Sequence, residues 1–336
     1  MRAVVQRRYG PIDEVLIIQD VDKPVPRDNE VLVRVRASAL HPDVWHAIVG
    51  LPLIYRVMGA GLRRPKQPVP GMDVAGVVEA IGGNVTRFKE GDAVFGATMF
   101  MRLGNGAALA EYASVREDLL AHKPAHVTFE AAASVPTPAL ITFMNLRPDR
   151  IGTNQHVLIN GAGGNVGSLA VQMAKASGAR VTGVDRTDKL AMIRSLGADH
   201  VIDHTKHDFT RVGEHYDLVL DVASTSSHQA CKPILKPGGR YWVIGHDHFG
   251  TATGRVFGSI PRMIGFMLSS DFRKSEKLDL RSAPVAQWME TLRSQLDSGA
   301  VTPIVGKVFP LREITAAMRC LVEGQTVGRI VVAVDS

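Results

Sequence analysis

Four glycines in a run of seven residues are the strongest sign of chemistry in this sequence. Gly161, Gly163, Gly164 and Gly167 follow the short apolar run 157–159 and precede a segment with apolar residues every three or four positions. The order strand, turn, helix is the context in which a glycine motif predicts a dinucleotide site. Glycines let a pyrophosphate approach the backbone, and the free N–H groups and dipole at a helix start attract that anion.

An acidic residue follows the glycine turn at the expected distance. A second apolar strand, Arg180–Val184, ends at Asp185, about 20 residues after the glycines, where an acid binds the adenosine ribose. Arg186 and Lys189 stand beside it. An acid here favours NAD by repelling a 2′-phosphate, whereas an adjacent cation can bind that phosphate. The sequence therefore leaves NAD and NADP both open.

The remaining cofactor candidates lie at the ends of other predicted strands, where a doubly wound sheet binds its ligands. For each of them an ordinary framework role stays open. Asn165 stands in the glycine turn, and we expect the turn to tolerate it because Asn adopts positive φ more readily than most residues. The predicted cofactor contacts are Gly161, Gly163, Gly164, Asn165, Val166, Asp185, Arg186, Lys189, His204, Ala223, Ile244 and Gly245.

Composition describes an ordinary globular protein with more than one core. A chain of 336 residues usually forms two domains. The net charge of +6 comes from dispersed basic residues, so nucleic acid is not the expected partner. Two cysteines exclude a disulfide framework and a Cys-rich zinc site. No apolar run is long enough to span a membrane and no secretory signal pattern is visible, so we expect a cytoplasmic protein.

The N-terminal third has the pattern of a β-rich domain. Short β-branched runs at Val15–Ile18, Val31–Ala37, Val74–Ile81 and Ala93–Ala97 are separated by Pro and Gly. Such spacing predicts a partly open antiparallel barrel. Residues 51–70 form a long connection, and connections of that length usually serve as a lid or pocket wall.

The pattern changes near residue 125 to alternating helices and strands. Predicted helices at Thr187–Leu196 and Ser224–Leu235 separate further strands, and the second is followed by a Pro-Gly-Gly turn at 236–239. Alternation of this kind predicts a doubly wound parallel sheet. The C-terminal residues again have the pattern of the N-terminal, β-rich domain. We therefore predict one domain from 1–124 plus 302–336 and a second from 125–301.

Several motifs together resemble the medium-chain dehydrogenase/reductase superfamily, in particular its zinc-free quinone oxidoreductase-like branch. They include Pro70-Gly71-Met72-Asp73, Gly91-Asp92, the glycine turn, and the tail that begins Gly328-Arg329. The resemblance covers nearly the whole chain. It implies an α/β protein with a GroES-like barrel, a Rossmann domain and an active site in the cleft between them. It also implies that Thr137 lies near the nicotinamide.

Zinc alcohol dehydrogenases, in the same superfamily, have metal ligands that this chain replaces. His41 stands where they carry a cysteine, and Met72 replaces their ligand histidine. Catalytic zinc needs about three protein ligands, and one histidine beside a thioether is not such a set. We therefore expect no metal. Without a Lewis acid nothing stabilises an alkoxide, so the expected acceptors are already electron-poor, such as quinones and α,β-unsaturated carbonyls.

Two residues are candidates for work on the acceptor. His41 could donate a hydrogen bond to its carbonyl oxygen or protonate it, because histidine titrates near neutral pH, or it could only shape the pocket. Tyr55 could be a second donor or an aromatic wall. The predicted activity is NAD(P)H-dependent reduction of quinones or enones. Alternatives are an enoyl reductase with one specific metabolite and a nucleotide-binding redox sensor with little turnover.

A Met-rich stretch, Phe257–Leu268, leaves its role open. It could form an adaptable apolar wall or lie on a membrane surface, since Arg255 and Arg262 are close in sequence. Ordinary packing or a dimer contact is the simpler interpretation, and a homodimer is the expected assembly.

Overall fold

The computed structural model describes residues 1–100, 103–104, 106–244, 256–257, 283–324 and 326–334. Its N-terminal part consists mainly of strands, namely β1 (Arg2–Val5), α1 (Ile12–Val15), β2 (Ile17–Asp20), β3 (Glu30–Ala39), α2 (Pro42–Val49), β4 (Asp73–Ile81), β5 (Ala93–Ala97), β6 (Met99–Phe100), β7 (Leu103–Gly104), β8 (Tyr112–Arg116) and β9 (Leu120–His122). A turn of π-helix, Arg56–Ala60, interrupts the long connection between α2 and β4.

Helices and strands alternate in the rest of the described chain. The elements are α3 (Phe129–Ala133), α4 (Pro136–Leu146), β10 (His156–Asn160), α5 (Asn165–Ala176), β11 (Arg180–Asp185), α6 (Leu190–Ser195), β12 (His200–Asp203), β13 (Tyr216–Asp221), α7 (His228–Cys231), β14 (Leu235–Val243), α8 (Val285–Asp297), β15 (Val305–Pro310), α9 (Ile314–Glu323) and β16 (Arg329–Ala333).

The first sheet has seven strands, two of which, β15 and β16, come from the C-terminal part of the chain. Its order is β15-β16-β3-β4-β5-β9, and β8 pairs with β3 on the side of its N-terminal half. All its pairs are antiparallel except β15 with β16. The last strand, β16, thus lies directly against β3 and joins the N-terminal strands in one sheet.

The second sheet is parallel throughout, in the order β12-β11-β10-β13-β14. Its central strand β10 is fully buried, as expected for an apolar run covered on both faces. Helix α5 buries the predicted stripe that includes Leu169, Ala170 and Met173, and Gly178 follows its end at φ +84°. This sheet is the predicted doubly wound arrangement.

One apolar core joins the two sheets. It runs from Val31 and Phe95 in the first sheet through Leu140 in α4 to Ile159 and Leu169 in the second. The short helix α3 packs on β3, β4 and β5, although its residues fall within the predicted second domain. The boundaries at 124/125 and 301/302 therefore stay a proposal. Across the described ranges, no helix is long and apolar enough to cross a membrane.

Two predicted elements differ in the structure. The strand predicted at Val15–Ile18 begins only at Ile17, because Pro11 and the acidic Asp13 and Glu14 favour the first turn of a helix, α1. The helix predicted at Ser224–Leu235 shrinks to α7 and one 3-10 turn.

Hydrogen bonding explains the short α7. The Asp221 carboxylate accepts from the Ser224 N–H, and Ser224 takes a positive φ of +58°, so the chain stays a loop until Ser227 caps α7. The predicted turn at 236–239 lies within β14, where it bulges between the paired residues Leu235 and Arg240.

Candidate cofactor and active site

The glycine turn is too tightly packed for larger side chains. Gly161 has φ +83°, and the Gly164 N–H donates to its carbonyl oxygen at 3.0 Å. A Cβ on Gly167 would lie 2.1 Å from that same oxygen. Helix α5 begins at Asn165, with Gly164 as its N-cap. Asn165 is therefore a helical residue and needs no positive φ. The turn accepts it because of its place in α5, and not because Asn tolerates positive φ as predicted.

Asp185 braces the glycine turn. Its Oδ2 accepts from the Gly163 N–H at 2.8 Å, and its Oδ1 accepts from the Arg186 N–H at 2.8 Å. The Lys189 ammonium lies 3.9 Å from Oδ1. The carboxylate is thus buried and engaged by backbone donors, a role that its position in the sequence does not indicate. Contact with a ribose stays a prediction.

A crevice of about 370 Å³ opens beside this turn. The predicted residues that line it are Gly161, Gly164, Asp185, Arg186, Lys189, His204 and Ala223; Asn160 and Thr225 line it too, although the sequence analysis did not select them. A second, smaller cavity brings Gly163, Gly164 and Asn165 together with Arg329. The structure therefore gathers most of the predicted cofactor residues in one region.

Not every predicted cofactor residue lines these two cavities. Val166 is buried on α5, and the Ile244 N–H bonds to the Asp221 carbonyl oxygen just past β14; neither lines the two cavities. Gly245 lies outside the described residues. A cofactor contact at these positions stays a prediction.

A buried polar network fixes the loop that faces the glycine turn. The Asp221 carboxylate accepts from Asn160 Nδ2 at 2.7 Å, from the Ser224 N–H at 2.8 Å and from the Tyr241 hydroxyl at 2.9 Å. This network holds Ala223 close to Gly161. Asn160 and Asp221 each end a buried strand, and that position is the one signal from which their role could have been predicted.

A buried ion pair connects the first sheet to helix α4. The Asp73 and Arg329 side chains are 0% and 2% exposed and pair through Oδ2 and Nη2. Asp73 Oδ1 also accepts from the Thr137 N–H at 2.8 Å. Burial raises the pKa of Asp73, and the Arg329 guanidinium opposes that rise. Because arginine does not deprotonate in proteins, the pair needs the ionised carboxylate.

Arg329 also carries hydrogen-bond donors that the ion pair does not use. Its Nε and Nη1 are buried and have no hydrogen-bond partner within the described residues. The side chain lines the small cavity with Gly163 and Gly164. A cation with orphaned donors beside a glycine turn and a helix start fits a phosphate group. Sequence reasoning missed this residue because it used Arg329 only as part of a family motif.

The predicted catalytic pair lies around Asp43. His41 is buried at the N-cap of α2, where its Nδ1 accepts from the Asp43 N–H at 3.2 Å and lies 3.3 Å from Asp43 Oδ2. Burial, together with the Asp43 charge, raises the pKa of Tyr55 to about 12. The charges of His41 and Asp43 also act on Asp73 and Arg329 respectively. The structure thus brings His41 near the ion pair and Tyr55 within reach of the Asp43 charge.

The other residue relevant to a metal site is Met72. It is buried in an apolar cluster with Val44, Ile48 and Leu109. Among the residues with described positions, no three His, Cys, Asp or Glu side chains form a group that could hold a metal ion.

Comparisons with known proteins agree with both sheets. The model of the alcohol dehydrogenase GroES-like domain matches residues 27–125, and the model of a zinc-binding dehydrogenase domain matches residues 196–332. The chain is 31% identical to the NADPH-dependent alkenal/one oxidoreductase of Arabidopsis thaliana, over 99% of this chain and 79% of that protein. It is 26% identical to the quinone oxidoreductase of Homo sapiens, over 96% and 94%.

A solved structure supports the fold. The quinone oxidoreductase from Coxiella burnetii superposes with a TM-score of 0.81, at 23% identity, over 100% of this chain and 99% of that one. Together with the GroES-like match, this confirms the predicted fold of a GroES-like barrel followed by a Rossmann domain.

The ion pair leads to a stability prediction. Replacing Asp73 by Asn or Arg329 by Met leaves one buried charge without its partner, so each variant should lose about 3–5 kcal/mol of unfolding free energy. The double variant Asp73→Asn with Arg329→Met should lose much less than the sum. Urea unfolding of the four proteins measures this coupling. Two small and additive losses would contradict a buried, coupled pair.

Proposed function

Because this chain belongs to the medium-chain dehydrogenase/reductase superfamily, in its quinone-oxidoreductase-like branch, we propose that it reduces quinones or α,β-unsaturated carbonyls with NAD(P)H. The observation that carries the proposal is the junction of two sites. The glycine turn lines one cavity together with Arg329, whose buried Nε and Nη1 have no hydrogen-bond partner among the described residues. His41 and Asp43 lie close enough for their charges to act on that pair.

The residues present fit a pyridine dinucleotide. We propose that Gly163, Gly164 and the start of α5 hold its pyrophosphate, with Arg329 as the neutralising cation. The crevice lined by Asp185, Lys189 and Ala223 would take the adenosine half, and Thr137 at the start of α4 would lie towards the nicotinamide. When bound, the cofactor supplies a hydride, and the protein supplies orientation and electrostatics.

His41 acts on the acceptor oxygen in this proposal. Its Nδ1 accepts the Asp43 N–H, so the neutral ring carries its proton on Nε2, which makes Nε2 a donor. As hydride adds to the acceptor, negative charge develops on the carbonyl oxygen. The Nε2–H group of the neutral ring stabilises that charge by donating a hydrogen bond, and a proton from solvent completes the two-electron reduction.

Tyr55 shapes the acceptor pocket in this proposal. Its raised pKa keeps the phenol protonated at neutral pH, so the side chain can only be a neutral donor or a wall. The ring meets the buried His46 edge-on, with centroids 5.9 Å apart. That contact favours a packed wall over a proton donor.

A substitution series tests the reaction. His41→Ala should lower kcat by about 100-fold, because one donor to a developing oxyanion contributes roughly a hundredfold to a thousandfold. His41→Asn keeps an N–H donor and should recover part of that loss. Tyr55→Phe should change kcat little. Stopped-flow oxidation of NADPH by a panel of quinones and enones measures each variant.

The outcomes separate function from site. Wild-type turnover that His41→Ala does not change would remove the donor role but keep the reaction. Tight NADPH binding without turnover of any acceptor would instead support a nucleotide-binding sensor.

We further propose that NADPH is preferred over NADH. The Asp185 carboxylate is engaged by the Gly163 and Arg186 N–H groups, which reduces its ability to grip ribose hydroxyls. The Lys189 ammonium offsets its charge from 3.9 Å. Arg186 and Lys189 both line the crevice, where Arg186 Nη2 also donates to the exposed Asp188 carboxylate at 3.1 Å, so a 2′-phosphate would meet two cations there.

The preference predicts a selective loss. Lys189→Ala and Arg186→Ala should each raise KM for NADPH about tenfold or more, because a charge-assisted hydrogen bond contributes about 1.5–3 kcal/mol. KM for NADH should change little. Arg194→Ala, on the exposed side of α6 and outside the crevice, is the matched control. Steady-state kinetics with NADPH and with NADH measure these KM values, and a wild-type enzyme that favours NADH would contradict the proposal.

The reaction is also proposed to be independent of zinc. Met72 faces an apolar cluster, and both oxygens of Asp73 are engaged by Arg329 and Thr137. His41 is then the one remaining nitrogen ligand among these three positions, too few for catalytic zinc.

Metal removal tests this point directly. Dialysis against a strong chelator should leave kcat/KM for quinone unchanged, and elemental analysis of the purified protein should find far less than one zinc per chain. Stoichiometric zinc, or activity that is lost on chelation and restored by zinc, would contradict the proposal.

Assembly and compartment are proposed more simply. A homodimer is proposed from the resemblance to the family. A cytoplasmic location is supported by the two thiols, Cys231 and Cys320, which form no disulfide in the described structure, as expected in a reducing compartment.

A further inference from the structure

Exposed apolar side chains cluster on the connection between α2 and β4 and on a short neighbouring segment. Val57 is 70% exposed and Leu62 is 67% exposed, and Leu53 precedes them on the same connection. Val256 and Phe257 are exposed as well, and the Ile54 N–H donates to the Val256 carbonyl oxygen at 3.1 Å. We call these five residues, Leu53, Val57, Leu62, Val256 and Phe257, the apolar rim. Apolar side chains grouped in this way commonly mark an interaction surface.

The connection that carries the rim is held firmly to the barrel. The Tyr9 hydroxyl donates to the carbonyl oxygens of Ala60 and Gly61, at 2.9 and 2.7 Å. The Arg56 guanidinium lies over the Tyr9 ring and donates to the Gly50 carbonyl oxygen at the end of α2. The connection therefore presents Leu53, Val57 and Leu62 in a fixed arrangement, although exposing apolar side chains to water is unfavourable.

A cluster of cations continues the rim. Arg63, Arg64 and Lys66 are exposed, and none of them forms an ion pair with any described residue. No acidic residue occurs between Asp43 and Asp73, so this part of the chain has no acid of its own to neutralise them. Leu62 and the three cations line one groove of about 630 Å³ together with Arg7, which likewise forms no ion pair with a described residue.

We infer that the apolar rim and these cations bind the surface of an anionic lipid bilayer. Aliphatic and aromatic side chains can enter the boundary between headgroups and acyl chains, and cations beside them attract anionic headgroups. Neither part suffices alone, because stable association with a membrane needs two signals, and this face offers both.

Other occupants fit this surface less well. A second copy of the chain bound through the same face would bring its own unpaired cations against Arg63 and Arg64, and like charges repel. A nucleic acid would satisfy the cations but would leave Val57 and Leu62 exposed, because its backbone is polar. An anionic bilayer complements both halves of the surface.

The rim also lies beside the proposed acceptor pocket. Tyr55 stands between Leu53 and Val57 on the same connection, and its ring contacts His46. A bilayer bound here would place the pocket near the phase in which apolar quinones and enones dissolve. The inference about membrane binding does not need the proposed reaction to hold, since its test measures association and not turnover.

Flotation with vesicles tests the inference on the full chain. The protein should float with vesicles of equal parts phosphatidylcholine and phosphatidylserine, and about tenfold less with phosphatidylcholine alone. Raising the salt concentration should weaken the binding, because the surface charges are screened. Failure of the wild-type protein to float with the anionic vesicles would overturn the inference.

Two variants locate the surface. The triple variant Arg63→Gln, Arg64→Gln, Lys66→Gln and the double variant Val57→Ser, Leu62→Ser should each lose about tenfold or more in vesicle binding. The matched controls are Arg194→Gln, Lys232→Gln, Lys307→Gln together, which remove the same charge from exposed positions elsewhere, and Val25→Ser, which removes another exposed valine. Both controls should bind as the wild type does.

Three further results bear on whether this face binds the bilayer. Equal losses in the controls would mean that total charge, not this face, governs binding. Sedimentation velocity that shows the Val57→Ser, Leu62→Ser variant dissociating a wild-type dimer would assign the rim to a second copy of the chain, against the inference. NADPH oxidation by a water-soluble quinone should be unchanged in the double variant, which verifies that the protein is folded.

Discussion

The ion pair between Asp73 and Arg329 is the interaction on which the rest of the arrangement depends. Taking two charges out of water costs several kcal/mol per ion, and only close geometry with further hydrogen bonds offsets that cost. Asp73 begins β4, Arg329 begins β16, and the Thr137 N–H near the start of α4 completes the carboxylate's set of donors. These three elements must therefore meet at one point whenever the chain is folded.

The shared apolar core extends that constraint to the whole cleft. Because one cluster runs from Phe95 in the barrel through Leu140 to Ile159 in the parallel sheet, the two sheets do not have separate interiors. The glycine turn is fixed to the second sheet and His41 to the first. Their relation is consequently set by close packing, which resists deformation, and not by a hinge with few contacts.

The local sequence pattern predicts the helices and strands, but it does not predict which residues far apart in the chain pair with each other. The glycine turn, α5 and β11 follow from periodicity and glycine spacing within about 25 residues of each other. Asp73 and Arg329 are 256 residues apart, and nothing in one sequence says that they meet. Asp185 was found at the right position, yet its engagement with the Gly163 N–H depends on tertiary packing. The helix predicted at Ser224–Leu235 was wrong at its start because the Asp221 carboxylate, which the distant Asn160 side chain holds in place, accepts the Ser224 N–H and the chain turns there.

The electrostatics of the cleft limit what it can reduce. In the proposed site the phosphate end carries cations, whereas the donor to the acceptor is the neutral His41 ring, and the Tyr55 phenol, with its pKa raised to about 12, stays protonated as a neutral wall. Neutral donors stabilise developing charge less than a Lewis acid would, so the acceptor must itself be electron-poor. Conjugated carbonyls and quinones meet that requirement, and those with long apolar substituents also partition into lipid. A pocket wall that continues into the exposed apolar rim and its neighbouring cations suits such apolar acceptors, because a bilayer bound at the rim would hold them close to the pocket.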